Sequence, residues 1–237
     1  MNKYRTELKF LCTEKQLFSM ENRIALLCPR DEHADAEGKY MIRSMYFDSA
    51  DDECYRACKS GEDDRKKYRI RIYNGSKDQI SLECKSGLHG KKKKETVLLT
   101  YDEFESLRDQ MITGNGDRSK VLLDFETGIN SGYRPAIVVE YVRTAYVFPA
   151  GNVRITFDRD ITASPTESFF DTYSAGIPVL PKGISILEVK YDDHLPKAVS
   201  SLIKDANLRA CSYSKYAICR DAFMGDLQYM IRRTDIF

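Results

Sequence analysis

The sequence predicts an α+β domain: an antiparallel sheet of eight strands that closes into a barrel with a charged interior, flanked by helices. Three observations predict it. Eight runs rich in Val, Ile, Tyr and Phe alternate at a period of two, as strands do. In most of these runs one face is apolar while the other holds Lys, Arg and Glu together. Between the runs lie segments that open on helix-capping residues.

The first run, "YRTELKFL" (4–11), sets Glu7 and Lys9 on one face and Leu8 and Phe10 on the other. Thr13 with Gln16 three residues on has the form of a capping box, opening a helix with apolar positions at Leu17, Met20, Ile24 and Leu27. "IRSMYFD" (42–48) is the second strand, and Ser49 with Asp52 repeats the capping pattern before a helix that Gly61 ends. "KYRIRIY" (67–73) places Arg69 and Arg71 together, opposite Tyr68, Ile70 and Ile72. "QISLECKS" (79–86) pairs Glu83 with Lys85, and "KKKETVLL" (92–99) pairs Lys92 with Lys94. Lys91 and Lys93 are expected to be solvated at the hairpin end. Thr100 with Glu103 caps a third helix bearing Phe104, Leu107 and Met111, and "RSKVLLDFETGI" (118–129) is a fourth. "AIVVEYVRTAYVF" (136–148) carries Arg143 on the face of Tyr141 and Ala145; "VRITFDRDI" (153–161) aligns Arg154, Thr156, Asp158 and Asp160. A long irregular loop is expected over 162–183, punctuated by Pro165, Pro178 and Pro181. "ISILEVKY" (184–191) sets Glu188 beside Lys190, and two helices, Pro196 to Leu208 and Lys215 to Tyr229, complete the chain.

The 237 residues show no repeat or linker, so a single domain over residues 1–237 is expected. Net charge is +1, which excludes a generally basic nucleic-acid binder; any anion site must come from local placement of charge. No apolar run reaches the length of a membrane span, and "MNKYRTELKF" has no signal-peptide apolar region, so a cytoplasmic location is expected. Seven scattered cysteines without a CxxC pair speak against zinc and for reduced, structural thiols. His33, His89 and His194 are expected on loops or the surface. No GxxxxGK[ST], GxGxxG or GxSxG occurs.

For one strand alone, a charged face turned to water is the ordinary explanation. Repeated on strand after strand, the pattern fits a barrel whose outer face packs on helices and whose inner face surrounds a polyanion and a metal. Arginine forks grip phosphate oxygens bidentately, lysines act as point charges, and glutamates supply hard oxygen ligands to Mg²⁺ or Mn²⁺. Crowded cations repel one another. Removing Arg69 or Arg71 is therefore expected to leave the empty protein as stable or more stable.

Taken in order, "TELKF", "YFD", "KYRIRIY", "LECKSG", "VEYVRTAY", "RITFDRDI", "ILEVKY" and "SYSKY" resemble the VTC domain, the catalytic module of polyphosphate polymerases and a member of the triphosphate tunnel metalloenzymes. The resemblance spans nearly the whole chain. It implies an eight-stranded tunnel in which Lys9, Arg69, Arg71, Lys85, Arg143 and Lys215 serve catalysis, Lys94, Arg154, Lys190 and Ser214 bind phosphate, and Glu188 ligates Mn²⁺ or Mg²⁺. It implies transfer of the γ-phosphoryl group of ATP to a growing polyphosphate chain, with ATP and polyphosphate or triphosphate as partners and a membrane protein as a partner for export. The wider superfamily often begins with ExExK. Here the motif reads "RTELK", with Arg5 where the first glutamate would stand, a loss shared by VTC-type members that favours polymerase over triphosphatase. Hydrolysis of triphosphate in the same tunnel, and non-catalytic binding of polyphosphate or inositol phosphates, are the alternatives.

Overall fold

A computed structural model describes residues 5–32, 34–62, 64–88, 91–109, 119–171 and 176–225. In chain order the elements are β1 (Thr6–Thr13), α1 (Glu14–Ala25), β2 (Tyr40–Asp48), α2 (Glu53–Lys59), β3 (Lys66–Tyr73), β4 (Ile80–Leu88) and β5 (Lys91–Leu99). Then come α3 (Tyr101–Arg108), α4 (Lys120–Asn130), β6 (Arg134–Phe148), β7 (Val153–Ser164), β8 (Ile177–Pro178), β9 (Ile184–Tyr191), α5 (Lys197–Asp205), β10 (Arg209–Ala210) and α6 (Lys215–Met224). His33, His89, Met111 and residues 226–237 lie outside the described residues.

All eight expected strands form, in one antiparallel sheet ordered β10-β1-β9-β7-β6-β2-β3-β4-β5, with β8 on β7. Two features correct the eight-stranded closed barrel. The sheet has ten strands, because the two-residue β8 and β10 are too short for alternation to reveal. It is also not closed by a ladder. β10 occupies the free edge of β1 at Phe10 and Leu11, and among the described residues a single isolated bridge, from Arg5 just before β1 to Lys92, links this end of the sheet to β5. The sheet nonetheless curls far enough to bring Lys85 of β4 within 2.6 Å of Glu7 of β1. Two bulges, at Tyr46/Phe47 and between Glu140 and Val142, add to the coil.

The convex face is apolar and covered by helices, as the alternation requires. Ile70, Ile72, Leu82 and Cys84 pack under Phe104 and Leu107 of α3 and Val121, Leu122 and Phe125 of α4. Phe10, Cys12, Phe157, Leu187 and Val189 pack under Leu17, Met20 and Ile24 of α1 and Val199 and Leu202 of α5. Each large side chain so buried contributes about 1.5–3 kcal/mol. α6 lies on the concave side instead. Tyr216, Ile218 and Cys219 pack there with Ile42, Ile137, Val139, Tyr141 and Ile161, filling part of the interior with an apolar cluster.

Capping is correct at α1 and α3, where Thr13/Gln16 and Thr100/Glu103 form complete boxes. At α2 it is different. Asp52 is left-handed at φ 54° and makes no side-chain cap. The amides of Ser49, Cys54 and Tyr55 donate to Asp48, the last residue of β2, to which the Tyr216 hydroxyl also donates. A buried carboxylate thus ties β2, α2 and α6 together. The 162–183 stretch is not simply a loop: it begins as the end of β7, continues through a short 3₁₀ turn at Thr166–Phe169, and returns as β8 beside Thr162 and Ala163.

Candidate functional site

The concave face is built by register. In β3, Lys67, Arg69 and Arg71 stand opposite Lys85, Glu83 and Ser81 of β4; on its other side Arg69 faces Tyr46 and Arg71 faces Ser44 of β2. Lys85 and Glu83 face Lys94 and Thr96 of β5. Across the barrel wall, Arg143 of β6 faces Asp158 of β7, Thr156 faces Glu188 of β9, and Glu188 faces Lys9 of β1. These rows enclose a cavity of about 790 Å³. Fourteen Lys and Arg side chains line it against three Asp or Glu, so it is a strongly cationic space in a protein of net charge +1.

All eleven residues singled out from the sequence line this cavity: Lys9, Arg69, Arg71, Lys85, Lys94, Arg143, Arg154, Glu188, Lys190, Ser214 and Lys215. The last two arrive from α6, whose N-cap is Ser214, and Lys67 Nζ donates to the Ser214 hydroxyl over 3.0 Å. Asp160 does not join them. The bulge that sets Val142 opposite Arg159 but Glu140 opposite Thr162 leaves Asp160 left-handed at φ 51° and exposed. The alternating face breaks there, and Ile161 takes the inward place.

The cations are not bare. Glu83, only 2% exposed, accepts from Arg69 Nε (2.7 Å) and Lys94 Nζ (2.9 Å), with Arg71 3.7 Å away. Asp158, fully buried, accepts from Arg143 in a bidentate pair at 2.6 and 2.7 Å and from Lys215 at 2.6 Å. Glu7 holds Lys85 at 2.6 Å with Lys9 3.4 Å away, and Glu188 holds Lys190 at 2.7 Å. Burial raises the Glu83 carboxyl, but Arg69, Arg71 and Lys94 outweigh it and hold the group far below the usual carboxylate range. This corrects the expectation that losing Arg69 or Arg71 leaves the empty protein as stable: each also neutralises Glu83. Sequence reasoning noted Glu7, Glu83 and Asp158 on charged faces yet gave them no place in the site. It also passed over Lys67, which shares the face of Arg69 and was legible from spacing alone.

A second contrast lies between Glu7 and Glu188. Both side chains are nearly buried, and Oε1 of Glu7 has no hydrogen-bond partner, with Lys9 Nζ 3.4 Å away. Burial and the neighbouring Glu188 raise the Glu7 carboxyl, while Lys9 and Lys85 bring it below its ordinary value. Two ionised carboxylates side by side suit a shared hard cation. Among the described residues no cluster of three or more His, Cys, Asp or Glu could hold a metal by itself. The donor set fits an ion that takes one or two carboxylates and completes its shell with phosphate oxygens and water.

Cys58 of α2 also lines the cavity, one helical turn from Cys54 and 3.9 Å from the Ser214 hydroxyl. A hydrogen bond from the Cys54 thiol and the charges of Lys67 and Arg65 outweigh burial and bring the Cys58 thiol down to about 5. At pH 7, iodoacetamide is expected to alkylate Cys58 first among the described cysteines, and Lys67→Ala to slow that labelling. Mass spectrometry of tryptic peptides gives the order. Labelling of Cys58 no faster than of Cys28 or Cys211 would contradict it.

No curated protein sequence matches the chain. Among solved structures it is similar to PH1819 from Pyrococcus horikoshii OT3 (TM-score 0.51, 16% identity, covering 91% of this chain and 97% of that one). A putative adenylate cyclase from Bacillus halodurans (TM-score 0.50, 12% identity, 86% and 88%) is similar as well. So is a putative adenylate cyclase from Vibrio parahaemolyticus (TM-score 0.50, 13% identity, 92% and 98%). At such identities these likenesses establish the fold alone. The VTC domain family matches residues 4–224, and the chain belongs to that family.

Proposed function

We propose that the protein is a polyphosphate polymerase, transferring the γ-phosphoryl group of ATP to the end of an inorganic polyphosphate chain with Mn²⁺ or Mg²⁺. The observation that carries this reading is the 790 Å³ cavity with fourteen basic and three acidic side chains, in a chain of the VTC domain family. Its volume and sign suit a phosphate chain better than a single phosphate. In the reaction an oxygen of the terminal phosphate bonds to the γ-phosphorus, the bond to the β,γ-bridging oxygen breaks, and ADP leaves. The nucleophile is already anionic, so no general base is needed; positioning and charge neutralisation suffice. Arg69, Arg71 and Arg143 would orient phosphate oxygens through their planar forks, while Lys9, Lys85, Lys94 and Lys215 would supply point charges. Glu188 and Glu7 would hold the metal, which would supply positive charge against the charge that develops on the phosphate oxygens.

Arg5 supports transfer to phosphate over hydrolysis. It lines the cavity where a further carboxylate would stand, with Nε 3.2 Å from Asp192. The test is purified protein with ATP and Mn²⁺, followed by a gel for long phosphate chains. Growing chains are expected. Release of free phosphate without chains would instead indicate a triphosphatase, and binding without turnover a sensing module. No described helix is long and apolar enough to cross a membrane.

Lys85 gives the site a pH dependence. Burial, with Lys9 and Lys190, pulls its amine down to about 7 against the opposing pull of Glu7. An anion favours the charged amine, so affinity for tripolyphosphate is expected to fall as pH rises through 7, with proton uptake on binding above that pH. The folded pKa lies below the unfolded one, so this group's cost to stability is relieved as pH rises from about 7 toward about 10. Calorimetry at pH 8 in buffers of different ionisation enthalpy measures the uptake. Lys85→Arg should remove the part that does not belong to tripolyphosphate itself, and an identical uptake in that variant would contradict the assignment.

A further inference from the structure

Two buried donors on the inward face of β7 have no partner: the Thr156 hydroxyl and Nε of Arg154. Thr156 is 4% exposed and lines the cavity. None of its inward neighbours satisfies it. Asp158, two residues along the same face, is occupied by Arg143 and Lys215. Ala145, opposite on β6, has no polar side-chain atom, and Glu188, opposite on β9, is engaged with Lys190. Arg154 is anchored through Nη2 by Asp31 (2.8 Å) and the Tyr40 hydroxyl (2.9 Å), and neither contact uses Nε. A buried hydroxyl without a partner is uncommon and calls for a ligand.

We infer that Thr156 adds a donor to the phosphate site that Arg154 is expected to serve, its hydroxyl donating to a phosphate oxygen held beside Glu188. Residues two apart on a strand lie about 7 Å apart, a span that one phosphate group bridges with two hydrogen bonds. Cross-strand pairing of Thr156 with Glu188 places the subsite at the carboxylate expected to hold the metal. The subsite would recognise the terminal phosphoryl group of a tri- or polyphosphate, and it rests on the phosphate-chain reading of the cavity.

The experiment measures binding of inorganic tripolyphosphate by calorimetry and melting of the empty protein, for the wild type, Thr156→Val and Thr156→Ser. Thr156→Val is expected to weaken binding about tenfold, Thr156→Ser to stay within about twofold of the wild type, and neither to lower the melting temperature of the empty protein. Equal affinity of the wild type and Thr156→Val would overturn the subsite alone. So would a loss of affinity that accompanies a lower melting temperature and is not rescued by serine, since that is what a packing role produces. Absence of tripolyphosphate binding to the wild type would overturn the phosphate-chain reading, and the subsite with it.

Discussion

Asp158→Asn is expected to destabilise the protein by about 3–5 kcal/mol at pH 7, because it leaves buried cations without their counter-charge. Asp158 is fully buried and is the shared acceptor of the Arg143 guanidinium and the Lys215 ammonium. Asparagine keeps the shape but turns an amide toward donors that need an acceptor. The pH dependence follows from the carboxyl group. Burial raises it, but Arg143 and Lys215 together hold it below its ordinary value. A carboxylate with a depressed folded pKa stabilises above its unfolded pKa, near 3.9, and the contribution is lost as pH falls through the folded value. The difference between wild type and Asp158→Asn should therefore shrink on strong acidification. Urea denaturation at pH 7 and near pH 3 reads both. A variant within 1 kcal/mol of the wild type at pH 7 would show that the pair is solvated.

Glu188→Gln is expected to lower turnover of ATP by about 100- to 1,000-fold while the fold survives. Glu188 holds Lys190 at 2.7 Å and stands 3.8 Å from Lys215 and 4.0 Å from Arg143. Burial raises its carboxyl, yet Lys190, Lys215 and Lys9 hold it well below the usual range, so it is a full anion at neutral pH. Glutamine keeps its volume but cannot hold a divalent cation as an anionic ligand. The cost should be greatest at limiting Mn²⁺, and circular dichroism should show an intact sheet. Near-normal turnover at limiting Mn²⁺ would remove Glu188 from the metal site.

What was legible in the sequence was what depends on neighbours along the chain. Alternation in "KYRIRIY" and "ISILEVKY" gives strand, face and sign of charge at once, because successive strand residues point to opposite sides. The boxes at Thr13 and Thr100 were readable because all their partners lie within four residues. The failures have long-range causes. Ser49 and Asp52 have the right spacing, but Asp48 captures the α2 amides, held there by Tyr216 from 168 residues away. Asp160 fell off the charged face because an aspartate in the left-handed region makes a bulge, which no alternation rule foresees. Closure of the barrel is decided by which strand takes the free edge of β1, and β10 takes it with two residues.

The candidate site shows the same division. The cations were readable strand by strand, whereas their counter-charges were not. Lys85 shares its strand face with Glu83, yet its carboxylate partner is Glu7 of β1, 78 residues distant. Glu83 instead serves Arg69 and Lys94. The orphaned Thr156 hydroxyl became visible only once the partners of Asp158 and Glu188 were known.

Titration of inorganic tripolyphosphate into the wild type and Arg71→Ala asks whether the concave face of the sheet holds a phosphate chain. Arg71 is buried, its Nε donates to the Ser44 hydroxyl at 3.0 Å and its Nη2 to the Tyr141 hydroxyl at 3.2 Å, and its nearest carboxylate, Glu83, lies 3.7 Å away. Its charge is thus the least neutralised of the two strand arginines. Salt-sensitive binding by the wild type is expected, with a loss of about tenfold to hundredfold in Arg71→Ala, the worth of one charge-assisted contact. Equal affinity in the two proteins would contradict it.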